Sequence, residues 1–123
     1  MTDYDPSIPH WISVPCGKCV ACLQKRRMNW AFRLEKEKLN SSSALFITLT
    51  YDNAFLPLDK DGLAHVSKRD CQTFLKRLRR NVEREMLKLG KESPSLRYIL
   101  SSEYGSQTLR PHYHLLLFNF PIF

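Results

Sequence analysis

In the run Arg110-Pro111-His112-Tyr113-His114, two histidines stand two residues apart at the head of an apolar, β-rich segment. Side chains two apart on a strand share a face, so His112 and His114 converge while Tyr113, Leu115 and Leu117 point the other way. A second β-like run, residues 96 to 104, precedes this one across Gly105-Ser106-Gln107, whose turn chemistry makes the pair an antiparallel hairpin. One register serves both faces. It sets Glu103 opposite His112 and Ser101 opposite His114 on the polar face, and Leu100 opposite Leu115 and Tyr98 opposite Leu117 on the apolar one. A carboxylate then meets two imidazoles, giving one oxygen and two nitrogens with positions left for water and phosphate. That donor set suits Mg²⁺ or Mn²⁺ used as a Lewis acid on a phosphodiester, and would also accept Zn²⁺, Co²⁺ or Ni²⁺. A His-x-His pair alone also occurs as two exposed strand histidines without a ligand, so the Glu103 register carries the metal reading.

Cys16, Cys19 and Cys22 form a second constellation. They are too close together for a bridge among them to brace a fold, and in a reducing compartment such spacing reads as metal binding. At the start of a helix, three-residue steps spread the thiols over roughly 120°, close enough for one tetrahedral Zn²⁺ with a fourth ligand from His10 or Cys71. Small cysteines packed in a core are the alternative, and an iron–sulfur cluster is a third reading.

The elements that position these residues follow from periodicity. Prolines 6, 9 and 15 make residues 1–15 an extended N-terminal arm. Cys22 to Leu39 reads as a helix, ended by Asn40 to Ser43, and residues 44 to 51 as a first strand closed by Asp52-Asn53. Ser67 caps a long helix to about Leu89, with Gly90 just past its end; Cys71, Phe74, Leu75, Leu78, Val82, Met86 and Leu89 give it one apolar stripe. Trp11, Trp30 and Phe32 are expected as core or staple residues rather than base-stacking platforms. The expected fold is α+β, an antiparallel sheet with two helices packed on one face.

The 123 residues are 43% apolar and 25% charged, as in a single globular domain, with a net charge of +7 that favours a polyanion. Nothing approaches the roughly 18 to 20 apolar residues of a membrane span, and no signal peptide is apparent, so a cytoplasmic, membrane-free protein is expected. Basic residues crowd the second helix. Arg77, Arg80 and Arg84, with Arg110, are the residues expected to meet DNA, a solvated charged face being the alternative.

Arg110-Pro111-His112-Tyr113-His114-Leu115-Leu116-Leu117-Phe118 resembles the His-hydrophobic-His motif of HUH endonucleases, with Glu103 where a third ligand falls in related viral initiators. Phe46-Ile47-Thr48-Leu49-Thr50-Tyr51 is similar to the first motif of those proteins, a strand beside the metal strand. Pro15, Cys16, Gly17, Cys19, Cys22, Arg26 and Trp30 match the Pro-Cys-Gly-x-Cys-x-x-Cys pattern, followed by Arg and Trp, that resembles replication initiators of microviruses, the gokushovirus branch in particular. The resemblance, over residues 15 to 118, implies an HUH nicking domain over 16–123 that initiates rolling-circle replication in the host bacterial cytoplasm. It would bind single-stranded or hairpin origin DNA, with a host replication helicase as partner. It also implies that a tyrosine attacks the scissile phosphate, leaving a 5′-phosphotyrosine and a priming 3′-hydroxyl. In the family that tyrosine sits on a helix after the His-hydrophobic-His strand. This sequence stops five residues past Phe118, so the expectation is a domain without its tyrosine helix: a fragment, a degraded prophage copy or half of a split gene. A metal-braced DNA-binding remnant that cannot cut, or a small zinc-stabilised protein, are the competing expectations.

Overall fold

The computed structural model of the chain describes residues 7 and 13–122. Most of the N-terminal arm, with Tyr4, His10 and Trp11, lies outside the described residues. Two compact units are present, Met1–Glu35 and Lys36–Phe123, and each is described by itself.

The larger unit is a three-stranded antiparallel sheet covered by a helix. Its strands are β1 (Ala44–Leu49), β2 (Arg97–Tyr104) and β3 (Pro111–Phe118), in the order β1-β3-β2. The most apolar strand, β3, therefore takes the centre, where both its edges are paired. Its pairing with β2 sets Glu103 opposite His112, Ser101 opposite His114, Leu100 opposite Leu115 and Tyr98 opposite Leu117, which is the register expected from the alternation. On the other side Thr48 lies opposite His114 and Ile47 opposite Leu115. Asn119 clips the far end of the sheet from a left-handed backbone conformation (φ 63°). Its side chain accepts from Ser42 N at 3.0 Å and donates to Ser95 O at 3.0 Å.

The covering helix is α2 (Lys68–Lys88). Ser67 caps its first turn by accepting from Asp70 N at 3.2 Å, and Asp70 itself suits the positive helix end. At the other end Gly90, at φ 64°, adopts the left-handed conformation that lets Lys91 N reach Met86 O and Gly90 N reach Leu87 O, each at 3.0 Å. Leu75, Val82 and Met86 bury against Leu96, Leu115 and Leu117. Leu115 and Leu117 are 0% and 1% exposed, and each such burial contributes about 2 kcal/mol. The sheet is thus apolar toward α2 and polar on the side of His112 and His114.

Helix α1 (Val20–Leu39) starts two residues before the expected helix and has no buried residue. In its last turn, within the larger unit, Glu37 pairs with Arg97 of β2 at 2.5 Å. Of the two helices, α2 supplies the cover of the core. No described helix is long and apolar enough to cross a membrane.

Candidate metal centre

Strand pairing brings Glu103, His112 and His114 together on the open face of the sheet. Glu103 Oε2 lies 2.9 Å from His114 Nε2 and 3.4 Å from His112 Nε2, and the three candidate ligand atoms all lie within 4.8 Å of one another. The rings of His112 and His114 stand nearly perpendicular, with centroids 5.1 Å apart. The backbone assigns the proton on His112. Its Nδ1 is 3.3 Å from Arg110 O, and because a carbonyl only accepts, Nδ1 carries the hydrogen and Nε2 turns its lone pair toward Glu103.

His114 is held from β1. Thr48 Oγ1 is 3.3 Å from its Nδ1, and Phe46 stacks on its ring at 5.4 Å and 17°. A hydroxyl donates or accepts, so Thr48 supports His114 with its proton on Nε2, bonded to Glu103, or on Nδ1, leaving Nε2 as a ligand. In the second state three acceptor atoms face one point with no donor among them. A cation resolves that arrangement, and the oxygen-and-imidazole set fits Mn²⁺ or Mg²⁺. Neither Thr48 nor Phe46 stood out as a site residue in the sequence. The signal was their membership of a β run, which acquires meaning once β1 is known to pair with β3.

Behind the ligands, on the α2 face, lies a polar clamp. Ser67 N donates to Tyr113 Oη at 2.7 Å, Tyr113 and Tyr51 hydroxyls meet at 2.8 Å, and Tyr51 Oη donates to Asp70 at 2.9 Å. Burial, then the Tyr113 and Asp70 bonds, push the Tyr51 hydroxyl well above the ordinary tyrosine range. Tyr104 Oη accepts from Val66 N at 3.1 Å, and Arg79 lies over the Tyr98 ring at 5.6 Å. The described tyrosines, 51, 98, 104 and 113, are thus all engaged away from the metal face.

The other expected site residues are dispersed. Arg110 donates to Tyr51 O at 2.5 Å and Asn53 Oδ1 at 2.7 Å, so its fork holds the loop after β1. Arg77, Arg80 and Arg84 are exposed and, at 100° per residue, opposite the buried stripe of α2. Since α2 covers the other face of the sheet, they lie on its far side from His112 and His114. Cys16 and Cys19 are exposed and Cys22 half-buried, gathered before and within the first turn of α1. The backbone N–H groups of Lys18 and Cys19 lower the Cys16 thiol to about 7. Cys71 is a core side chain of α2 whose thiol burial pushes up. Trp30 and Phe32, expected as core or staple residues, are 45% and 61% exposed. Trp30 carries the Arg33 guanidinium over its ring at 5.3 Å.

Residues 44–122 match the family model of the phage replication-associated protein ORF2. The chain is 35% identical over 111 residues to the replication-associated protein ORF2 of Spiroplasma virus 4, covering 89% of this chain and 33% of that protein. It is 35% identical over 106 residues to the replication-associated protein VP4 of Bdellovibrio phage phiMH2K, covering 86% and 31%. With the replication-associated protein ORF4 of Chlamydia phage 1 the identity is 34% over 105 residues, covering 85% and 24%. All three come from microviruses, and the chain spans a third or less of their length. No solved structure matches.

Proposed function

Because the chain belongs to the replication-associated protein ORF2 family, we propose that it is the ion-binding part of a rolling-circle replication initiator, of HUH type, acting on single-stranded or hairpin origin DNA in the host bacterial cytoplasm. The observation that carries this reading is the convergence of Glu103, His112 and His114 as acceptors on an open sheet face. Held there, Mg²⁺ or Mn²⁺ would polarise a scissile phosphate. The chain's own residues set the geometry. Arg110 O fixes the His112 tautomer, Thr48 and Phe46 orient His114, and the half-exposed Glu103 leaves room for a phosphate oxygen. Attack on phosphorus needs a nucleophile in line with the scissile bond. The described tyrosines face α2, so the phosphotyrosine forms on a residue other than Tyr51, Tyr98, Tyr104 or Tyr113. The exposed arginines of α2 would hold flanking DNA by charge.

Calorimetric titration with Mn²⁺ tests the ion site: wild type binds, and a His112→Ala/His114→Ala variant does not. Equal binding by both sinks the proposal. For DNA, affinity should fall with salt, and Gln at Arg77, Arg80 and Arg84 should flatten the log–log slope by up to about 2, or about 0.7 for each phosphate no longer neutralised. An unchanged slope makes this face merely solvated. Incubation with labelled origin DNA and Mn²⁺ checks the nucleophile. A covalent DNA–protein band that vanishes in Tyr51→Phe or Tyr104→Phe would show that the tyrosine has been sought in the wrong place.

A further inference from the structure

We propose that Cys16, Cys19 and Cys22 form a three-thiolate site for Zn²⁺, separate in ligands and in chemistry from the centre on the sheet. Spacing comes first. Zinc–sulfur bonds of about 2.3 Å at tetrahedral angles put sulfurs about 3.8 Å apart. Cys16 Sγ and Cys22 Sγ are 3.9 Å apart, and all three sulfurs fall within 4.8 Å of one another. A disulfide needs about 2.05 Å, so the turn holds the thiols at a distance that suits an ion between them better than a bond.

The turn itself favours thiolate. Cys16 Sγ accepts from Lys18 N at 3.4 Å and Cys19 N at 3.3 Å. Two backbone donors aimed at one sulfur stabilise its anionic form and fix its direction. The turn that supplies them needs Gly17 at φ 75°, where an L side chain is strained. Cys19 O then accepts from Leu23 N at 2.9 Å, opening α1 directly behind the turn.

Charge acts in the same sense. The first turn of α1 holds no acidic residue, so anionic sulfurs are what complement its positive end. Cys22 also shares a groove with Lys25 and Arg26, whose charge offsets the surplus negative charge of a zinc tris-thiolate. Packing does not account for the cluster, since Cys16 and Cys19 are exposed. Three protein ligands leave the fourth tetrahedral position to water or an anion. With no buried residue on α1, bound metal would provide the local order that packing does not.

The test loads the reduced, full chain with Co²⁺ or Zn²⁺. The His112→Ala/His114→Ala background removes the sheet site, so failure of that centre is read separately. In this background Co²⁺ should give thiolate-to-metal charge-transfer bands, abolished by Cys16→Ser/Cys22→Ser and retained in Cys71→Ser. Zinc-edge absorption on the same background, which does not depend on whether a cysteine variant folds, should show sulfur neighbours at about 2.3 Å. Absence of charge-transfer bands, bands that vanish with Cys71→Ser, or a zinc shell of nitrogen and oxygen only would each overturn the proposal. So would a Cys16–Cys22 disulfide in protein taken directly from a reducing cytosol.

Discussion

The sheet centre and the cysteine turn gather their ligands in opposite ways. Glu103 meets His112 and His114 only because β2 and β3 pair in one register, and His114 is steadied from β1, 66 residues away. Cys16, Cys19 and Cys22 are brought together by one turn and the start of one helix, with the Cys16–Cys22 sulfur pair spanning six residues of sequence. The first set is hard, oxygen and imidazole; the second is soft, sulfur alone. The sheet centre therefore needs the core to exist, whereas the cysteine turn needs little more than its own backbone. Each site should answer to different metals and to different insults.

The largest expected effect separates the two outright. His112→Ala/His114→Ala should weaken Mn²⁺ binding at least about 100-fold and leave the cobalt–thiolate spectrum intact. Replacing Cys16 and Cys22 by Ser should do the reverse. Calorimetry and optical titration of both variants read the two effects independently, and loss of both signals in either variant would merge the two sites into one.

Next comes the core. Leu115 is fully buried between His114 and Leu116 on the α2 side, so Leu115→Ala should cost about 3 kcal/mol in urea unfolding. In urea that unfolds this variant, Mn²⁺ binding should disappear while the thiolate bands persist. Bands that melt together with the sheet would show that the cysteine turn depends on the core.

The same contrast explains what the sequence made legible. Strict alternation from Pro111 to Phe118 and from Arg97 to Tyr104 permits only one register that buries Leu115 and Leu117 together, so the Glu103–His112 pairing follows without coordinates. The caps of α2, Ser67 and Gly90, are readable because each does a local job. What escapes is what depends on the third strand. Nothing in Phe46 or Thr48 says that β1 will lie beside β3. Arg110 reads as a phosphate ligand by charge, yet its guanidinium is held by Tyr51 O and Asn53, a loop closure that only tertiary structure reveals. Trp30 reads as core by size, and in the fold it is exposed under Arg33.

Thr48 sharpens the comparison on a smaller scale, since the cysteine turn has its supporting donors built into its own backbone while His114 borrows its support from another strand. Thr48→Val keeps the β-branched shape and removes the hydroxyl beside His114 Nδ1. Mn²⁺ affinity should fall about 10-fold, the lower range for loss of a group that orients a ligand, and Thr48→Ser should restore most of it. A Val variant that binds like wild type would leave Phe46 as the sufficient support.

The smallest expected effect concerns the clamp behind β3, for which the cysteine turn has no counterpart. Tyr51 is raised above its ordinary value by burial first, then by its bonds to Tyr113 and Asp70. In the unfolded chain a tyrosine loses its proton near pH 10. Between that pH and the higher folded value, the native protein keeps a proton that the unfolded chain releases, so unfolding is favoured as pH rises. The stabilisation from this group is therefore complete below about pH 10 and is lost progressively above it. Tyr51→Phe removes the titrating hydroxyl. It should lower stability at neutral pH by about 1 kcal/mol, through the lost hydrogen bonds, and make the decline above about pH 10 shallower than in wild type. Urea midpoints of the two proteins, measured through the alkaline range, give the comparison directly, and parallel curves would mean that the Tyr51 proton is not linked to folding. If the curves diverge as expected, Mn²⁺ binding should weaken with the sheet at high pH, while the thiolate site, whose geometry is local, should hold its cobalt.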